Sequence, residues 1–91
     1  MSLDHKAVGR RLIRLREEMG YTYVTPFAKY LGVGLKRLWH AENGGPLAKE
    51  LALRIVEKCP GVTLDWLYLG RTKGLSVTMS RRLGVRSFSE P

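Results

Sequence analysis

The sequence is poor in cysteine and has no long apolar run. Cys59 is the only cysteine in the 91 residues, so no internal disulfide can form, and a single thiol is typical of a reducing compartment. No apolar stretch approaches the roughly 20 residues that a membrane-spanning helix needs. The first residues, MSLDHKAVGRR, also lack the apolar segment of a secretory signal. We therefore expect a cytoplasmic protein with no membrane partner.

Residue clusters suited to catalysis or metal binding are also missing. His5 and His40 are far apart, and neither has a cysteine or carboxylate at the spacing of a metal ligand. Glu17 and Glu18 are adjacent, so their side chains diverge on a helix, whereas catalysis by paired acids needs carboxylates that face each other. No strand is predicted, and hence no phosphate-binding loop after a strand. We predict no enzyme activity and assign no catalytic residue, metal ligand or cofactor.

Acidic residues are few. Eight Asp and Glu stand against sixteen Lys and Arg, a net charge of +8. The excess lies at both ends of the chain: residues 1–37 carry a net +5, residues 38–70 a net −1 and residues 71–91 a net +4. Such a charge suits a polyanion, most often nucleic acid, although an acidic protein would also fit.

Apolar residues recur at steps of three and four along most of the chain, which predicts helices. Glycine or proline separates the periodic segments. We predict a compact all-α domain over residues 1–70 with five helices, at residues 3–19, 25–31, about 35–43, 46–58 and 61–70.

The second and third helices form the most informative stretch, TPFAKYLGVGLKRLWHAEN. Thr25 is the predicted cap of the second helix, with Pro26 at its first position. Gly32 is the predicted left-handed residue of the turn. In the third helix, Leu38 and Ala41 are three residues apart and face inward. Basic, aromatic and amide side chains are left to face outward, as in a recognition helix: Lys36, Arg37, Trp39, His40 and Asn43.

Residues 71–91 form a basic C-terminal extension. Leu75, Met79 and Leu83 recur at steps of four, which predicts a weak helix over about 76–83. Because this apolar stripe is too narrow to bury itself, the predicted helix either docks on the domain, pairs with a second chain or stays mobile. Residues 84–91 are predicted to be disordered.

Taken in order, these segments resemble the Cro/C1-type helix-turn-helix family, also called the Xre family, over residues 8–70. The resemblance rests on VGRRLIRLREEMGY in the first helix, FAKYLGV at the turn, Glu42-Asn43-Gly44 after the third helix and LDWLYLG in the fifth. The family implies a transcription regulator, often a homodimer, whose third helix enters the major groove of double-stranded DNA.

The sequence departs from the family at three positions that usually carry polar DNA-contacting side chains: Val24, Gly34 and Leu35. Two functional hypotheses therefore stay open. In the first, the protein reads DNA through residues of the third helix, supported by arginines of the first: Lys36, Arg37, Trp39, His40 and Asn43 with Arg10 and Arg14. In the second, the face has lost DNA reading, and the protein is an antiactivator that binds a transcription factor through apolar anchors: Leu35, Trp39, Leu53, Leu75 and Met79.

A third reading of Trp39 is purely structural, in which its ring folds back onto the second helix. The sequence alone does not decide among these readings, nor does it give an operator, a partner or an oligomeric state.

Overall fold

The computed structural model describes residues 3–84, and within them it contains six α-helices and no strand. The predicted all-α class is confirmed, and the six helices correspond to the five predicted for residues 1–70 and the weak helix predicted over about 76–83. The helices are α1 (His5–Glu18), α2 (Val24–Leu31), α3 (Leu35–Glu42), α4 (Lys49–Lys58), α5 (Leu64–Leu69) and α6 (Val77–Leu83).

The first helix is the centre of the core and packs against α3, α5 and α6. It begins where the Asp4 carboxylate accepts a hydrogen bond of 3.1 Å from the backbone N–H of Ala7. Val8, Leu12 and Leu15 of its apolar stripe are completely buried. Their spacing of three and four residues puts one face of α1 into the core, as the sequence predicts.

The second and third helices pack on each other across a three-residue connection, Gly32 to Gly34. Gly32 ends α2 in the left-handed conformation, with φ of 73°. The predicted start of α2 is wrong. The helix begins at Val24, with Tyr23 at the cap position, and Thr25 lies inside the first turn. Pro26 is tolerated there because the N–H groups of the first turn have no partner within a helix.

A buried ion pair fixes α3 to α1. The Arg16 Nε donates to Glu42 Oε2 at 2.9 Å, and both side chains are almost fully buried. Arg16 also donates to the carbonyl of Tyr21, at 3.1 Å, in the connection to α2. The two helices approach closely because residue 9 is glycine: a Cβ there would lie 2.6 Å from the Glu42 carbonyl oxygen. These contacts set where the outer face of α3 points.

The fourth helix begins later than predicted, at Lys49 and not at Pro46. Leu47 reaches the core from the connection before the helix, and its carbonyl accepts a 2.8 Å hydrogen bond from the Tyr68 hydroxyl. The fifth helix is shorter than the predicted 61–70, but the expected cap is confirmed: the Thr63 hydroxyl accepts from the Trp66 N–H at 3.0 Å.

The tail helix docks on the domain, which decides among the three alternatives for residues 71–84. The Ser76 hydroxyl caps α6 by accepting from the Met79 N–H at 3.0 Å, and the Ser76 N–H donates to the Gly61 carbonyl at 3.1 Å. Met79 and Leu83 join the same apolar core as α1. The predicted disorder of residues 84–91 concerns a segment that, apart from Gly84 at the end of α6, lies outside the described residues.

Candidate recognition surface

The outer face and the end of α3 carry the recognition residues that the sequence assigns to the third helix. Leu38 and Ala41 are completely buried, so the helix is held from its inner side. The outward positions are all exposed: Lys36, Arg37, Trp39, His40 and Asn43. The geometry therefore matches the predicted division of α3 into a core side and a solvent side.

Trp39 is half-exposed, with 49% of its surface accessible to solvent. Its ring meets the His40 imidazole edge-on, with 5.3 Å between the ring centroids. The two rings line a shallow depression of about 400 Å³ together with Val24, Leu35 and Lys36. Trp39 therefore borders α2 through Val24, but it is not covered by α2, which contradicts a purely structural packing of its ring.

Arg37 and Asn43 diverge from this depression. The Arg37 Nη1 lies 3.9 Å from Glu50 Oε1, and both side chains are mostly in solvent, so this ion pair contributes little to stability. The Asn43 amide donates to the Trp39 carbonyl at 2.8 Å and closes the end of α3. The centre of the surface thus consists of Lys36, Trp39 and His40, with Arg37 on its flank.

Both helices that form the surface begin without a side-chain cap. Neither Tyr23 before α2 nor Gly34 before α3 provides a side-chain acceptor for the first backbone N–H groups. Such groups carry the positive end of the helix dipole and are ready donors to a phosphate. Glycine at position 34 explains the missing cap of α3, because it has no side chain.

Tyr23, directly before the start of α2, is an exposed residue that sequence reasoning missed. We expected both tyrosines of the first connection to pack over the end of α1. Tyr21 does pack, with its ring centroid 5.3 Å from that of Phe27, but Tyr23 is 72% exposed beside the start of α2. The connection has no periodicity that distinguishes an inward from an outward tyrosine.

Arg10 and Arg14 lie elsewhere. On α1 they are turned roughly 100° and 140° away from Gly9, the residue that touches α3. They line a separate depression between α1, α5 and α6, together with Trp66 and other residues. The structure therefore does not bring the two arginines onto the face of α3. Lys6 of α1 lies near the residues that follow α3, since its Cγ is 3.5 Å from the position of a Cβ on Gly44.

The proposed apolar anchors also separate. Leu35 is 44% exposed and belongs to the Trp39 depression. Leu53 is 47% exposed, but it lies on α4 among Glu50, Arg54 and Glu57. Met79 is wrong as a surface anchor because only 3% of it is exposed, and Leu75 is partly buried against the same core.

The pKa shifts lie away from this face and follow from burial. The Arg11 guanidinium donates to the carbonyls of Leu67 and Tyr68 at 3.1 Å, and desolvation lowers the pKa of Arg11. Burial raises the pKa of the Tyr68 hydroxyl and raises that of the Cys59 thiol to about 11. A protonated, enclosed thiol is a poor nucleophile, in line with the predicted structural role of Cys59.

Residues 3–84 contain no group of three or more His, Cys, Asp or Glu side chains placed to hold a metal ion. No helix in this range has the length and apolarity needed to cross a membrane. Comparison of the chain with family models, curated proteins and solved structures finds no match.

Proposed function

We propose that this protein is a transcription regulator of the helix-turn-helix type that binds double-stranded DNA by placing α3 in the major groove. The observation that carries the proposal is the two-sided character of α3. Its inner side is fixed by Leu38, Ala41 and the buried Arg16–Glu42 pair. Its outer side presents basic and aromatic side chains from a rigid short helix, as base reading requires.

Contacts to the phosphate backbone come from the uncapped starts of α2 and α3. The first residues of α2 and of α3 lie beside either the connection between these helices or the depression next to the outer face of α3. A duplex docked on that face therefore brings phosphates within reach of their backbone N–H groups. Tyr23 adds an exposed hydroxyl at the first of these starts. The net charge of +8 supplies long-range attraction to the duplex.

Base reading falls to Lys36, Arg37 and His40. Arg37 presents a planar fork suited to the O6 and N7 atoms of guanine. Its ion pair with Glu50 spans 3.9 Å in solvent, so exchange of Glu50 for a base costs little. Asn43 is already engaged with its own helix and is excluded from the reading set. Arg10 and Arg14 contribute general attraction, since they lie on another face of α1.

The test is selection of duplexes from a random pool by the full chain, followed by titration of the selected duplex and a shuffled duplex at two salt concentrations. The proposal predicts that the selected duplex binds more tightly than the shuffled duplex at both salt concentrations. Binding that is equal on the two duplexes and fades equally with salt would reflect charge alone and would contradict the proposal.

Two substitutions locate the reading face. Arg37→Ala is expected to weaken binding of the selected duplex by about 1–3 kcal/mol and to relax the choice at one base pair. Arg54→Ala is the matched control, because it removes an exposed arginine of α4 that lines a depression with Arg37. Arg54→Ala is expected to change binding of the selected duplex and of the shuffled duplex by the same factor. If the two variants behave identically, α3 is not the reading helix.

A further inference from the structure

DNA binding leaves the apolar part of the α3 surface unexplained. Leu35 and Trp39 are four residues apart, hence on the same side of the helix, and they are 44% and 49% exposed. With Val24 of α2 they line one depression of about 400 Å³. Adjacent exposed apolar side chains of this size are a sign of an interaction site, since folding itself gains from burying them.

Leu35 and Trp39 together form an apolar ridge, and base edges in the major groove offer this ridge few apolar contacts. The base edges are mostly hydrogen-bond donors and acceptors, and the thymine methyl group is their main apolar element. The phosphates on either side are charged. An apolar protein surface, in contrast, would remove both Leu35 and Trp39 from water. The ridge therefore fits a protein partner better than it fits a duplex.

The charges around the depression specify that partner further. Lys36 is the only charged side chain among its lining residues, and His40 is the other polar one. Of the acids near α3, Glu42 is buried against Arg16 and Glu50 lies beside Arg37 outside this depression. A complementary surface is thus apolar at its centre and acidic at its edge.

We propose that the depression docks one amphipathic α-helix of a protein partner, with acidic residues flanking its apolar stripe. Apolar side chains one turn apart on that helix cover the Leu35–Trp39 ridge and enter the depression beside Val24, while a carboxylate pairs with Lys36. Docking does not depend on DNA binding. Its consequence rests on the proposed function: a helix seated here covers Lys36 and His40, so it excludes DNA from the same face.

The test uses a display library of random peptides about 16 residues long, long enough for four helical turns. Peptides are selected on the full chain after depletion on Trp39→Ala. The proposal predicts acidic sequences with apolar residues spaced three and four apart. Trp39→Ala is expected to weaken the selected peptides by about 30-fold or more, as for the central residue of an interface. Leu53→Ala is the matched control, with 47% exposure on a different helix, and is expected to bind like the parent.

A second variant keeps the test decisive if Trp39→Ala loses its fold. Lys36→Glu changes one exposed charge and is expected to reverse the preference from acidic to basic peptides. The proposal is overturned if no peptide distinguishes the parent from Trp39→Ala, or if selected peptides lack helical spacing. It is also overturned if Trp39→Ala and Leu35→Ala weaken only the selected DNA duplex, because the ridge then belongs to the DNA surface.

Discussion

The two tryptophans of this chain lie on short helices of similar length, yet one is buried and the other is half-exposed. Trp66 of α5 is 4% exposed and belongs to the apolar core, whereas Trp39 of α3 is 49% exposed. The fold gives Trp66 a place between α1 and α6, but it leaves half of Trp39 in water. Trp66 is thus part of the core, whereas half of the Trp39 surface stays available for contact with another molecule.

Two arginine–glutamate pairs repeat the contrast. Arg16 and Glu42 meet at 2.9 Å inside the protein and hold α3 against α1. Arg37 and Glu50 lie 3.9 Å apart in solvent. The first pair fixes the position of α3 against α1, while the second leaves the Arg37 side chain mostly in solvent. Both pairs join an arginine to a glutamate, so the difference in their burial decides how much each contributes to stability.

The largest expected effect compares the tryptophans directly. Trp66→Ala removes a core ring and is expected to lower the free energy of unfolding by about 4 kcal/mol. Trp39→Ala is expected to lower it by less than about 1 kcal/mol, because its ring is half in solvent. Urea unfolding of both variants measures the difference. Equal losses would mean that Trp39 is also a core residue.

The ion pairs give the next effect. Glu42→Ala leaves the buried Arg16 guanidinium without its carboxylate and is expected to cost about 3 kcal/mol. Glu50→Ala, which breaks the exposed pair, is expected to cost less than about 0.5 kcal/mol. Thermal unfolding at matched pH gives both values. A small loss in Glu42→Ala would show that α3 is held mainly by its apolar contacts.

The tail helix offers a smaller contrast. Met79→Ala is expected to destabilise the protein by about 2 kcal/mol because Met79 is 3% exposed, and Val77→Ala, at 68% exposure, by less than about 0.5 kcal/mol. Urea unfolding measures the stability of the two variants, and hydrogen exchange of the α6 backbone amides shows whether this helix opens more readily in either of them. If Met79→Ala is as stable as the parent, α6 does not belong to the core.

The smallest effect concerns the buried thiol. The pKa of Cys59 is about 11 in the fold against 9.0 for an unperturbed thiol, so as pH rises above 9 the unfolded chain loses this proton first and the fold is destabilised. From pH 8 to pH 10, the stability advantage of the parent over Cys59→Ala is expected to shrink by about 1 kcal/mol. A constant difference would indicate an accessible thiol with an ordinary pKa.

Sequence reasoning succeeded where one local rule decides the structure. Asp4, one of two candidate caps of the first helix with Ser2, and Thr63, the expected cap of the fifth, each accept from the N–H three residues ahead, as the cap rule describes. Ser76 caps α6 in the same way, although we did not predict this cap from the sequence. Sequence reasoning failed at Thr25 and Pro46, which have the same local signals but do not start their helices. There the core decides: Leu47 is buried from the connection, although its spacing from Leu51 looks helical.

The exposed face of α3 was predicted for a similar reason. Helical spacing separates Leu38 from Trp39 and so identifies the outer face of α3. It does not show that Asn43 turns back to the Trp39 carbonyl, that Arg37 points toward Glu50, or that Met79 fills a space between helices distant in sequence. The first outcome is a local bond at the end of α3, while the other two depend on how α4 meets α3 and how α6 meets the core, which no periodicity encodes.

The most direct test of the central proposal is to map the surface that DNA touches, by recording backbone amide shifts of the isotope-labelled full chain during titration with the selected duplex. The account predicts that the largest shifts lie at the start of α2, at Gly34 and along α3 to His40, and that α6 is unaffected. Shifts confined to α6 and the Arg10–Arg14 side of α1 would contradict it.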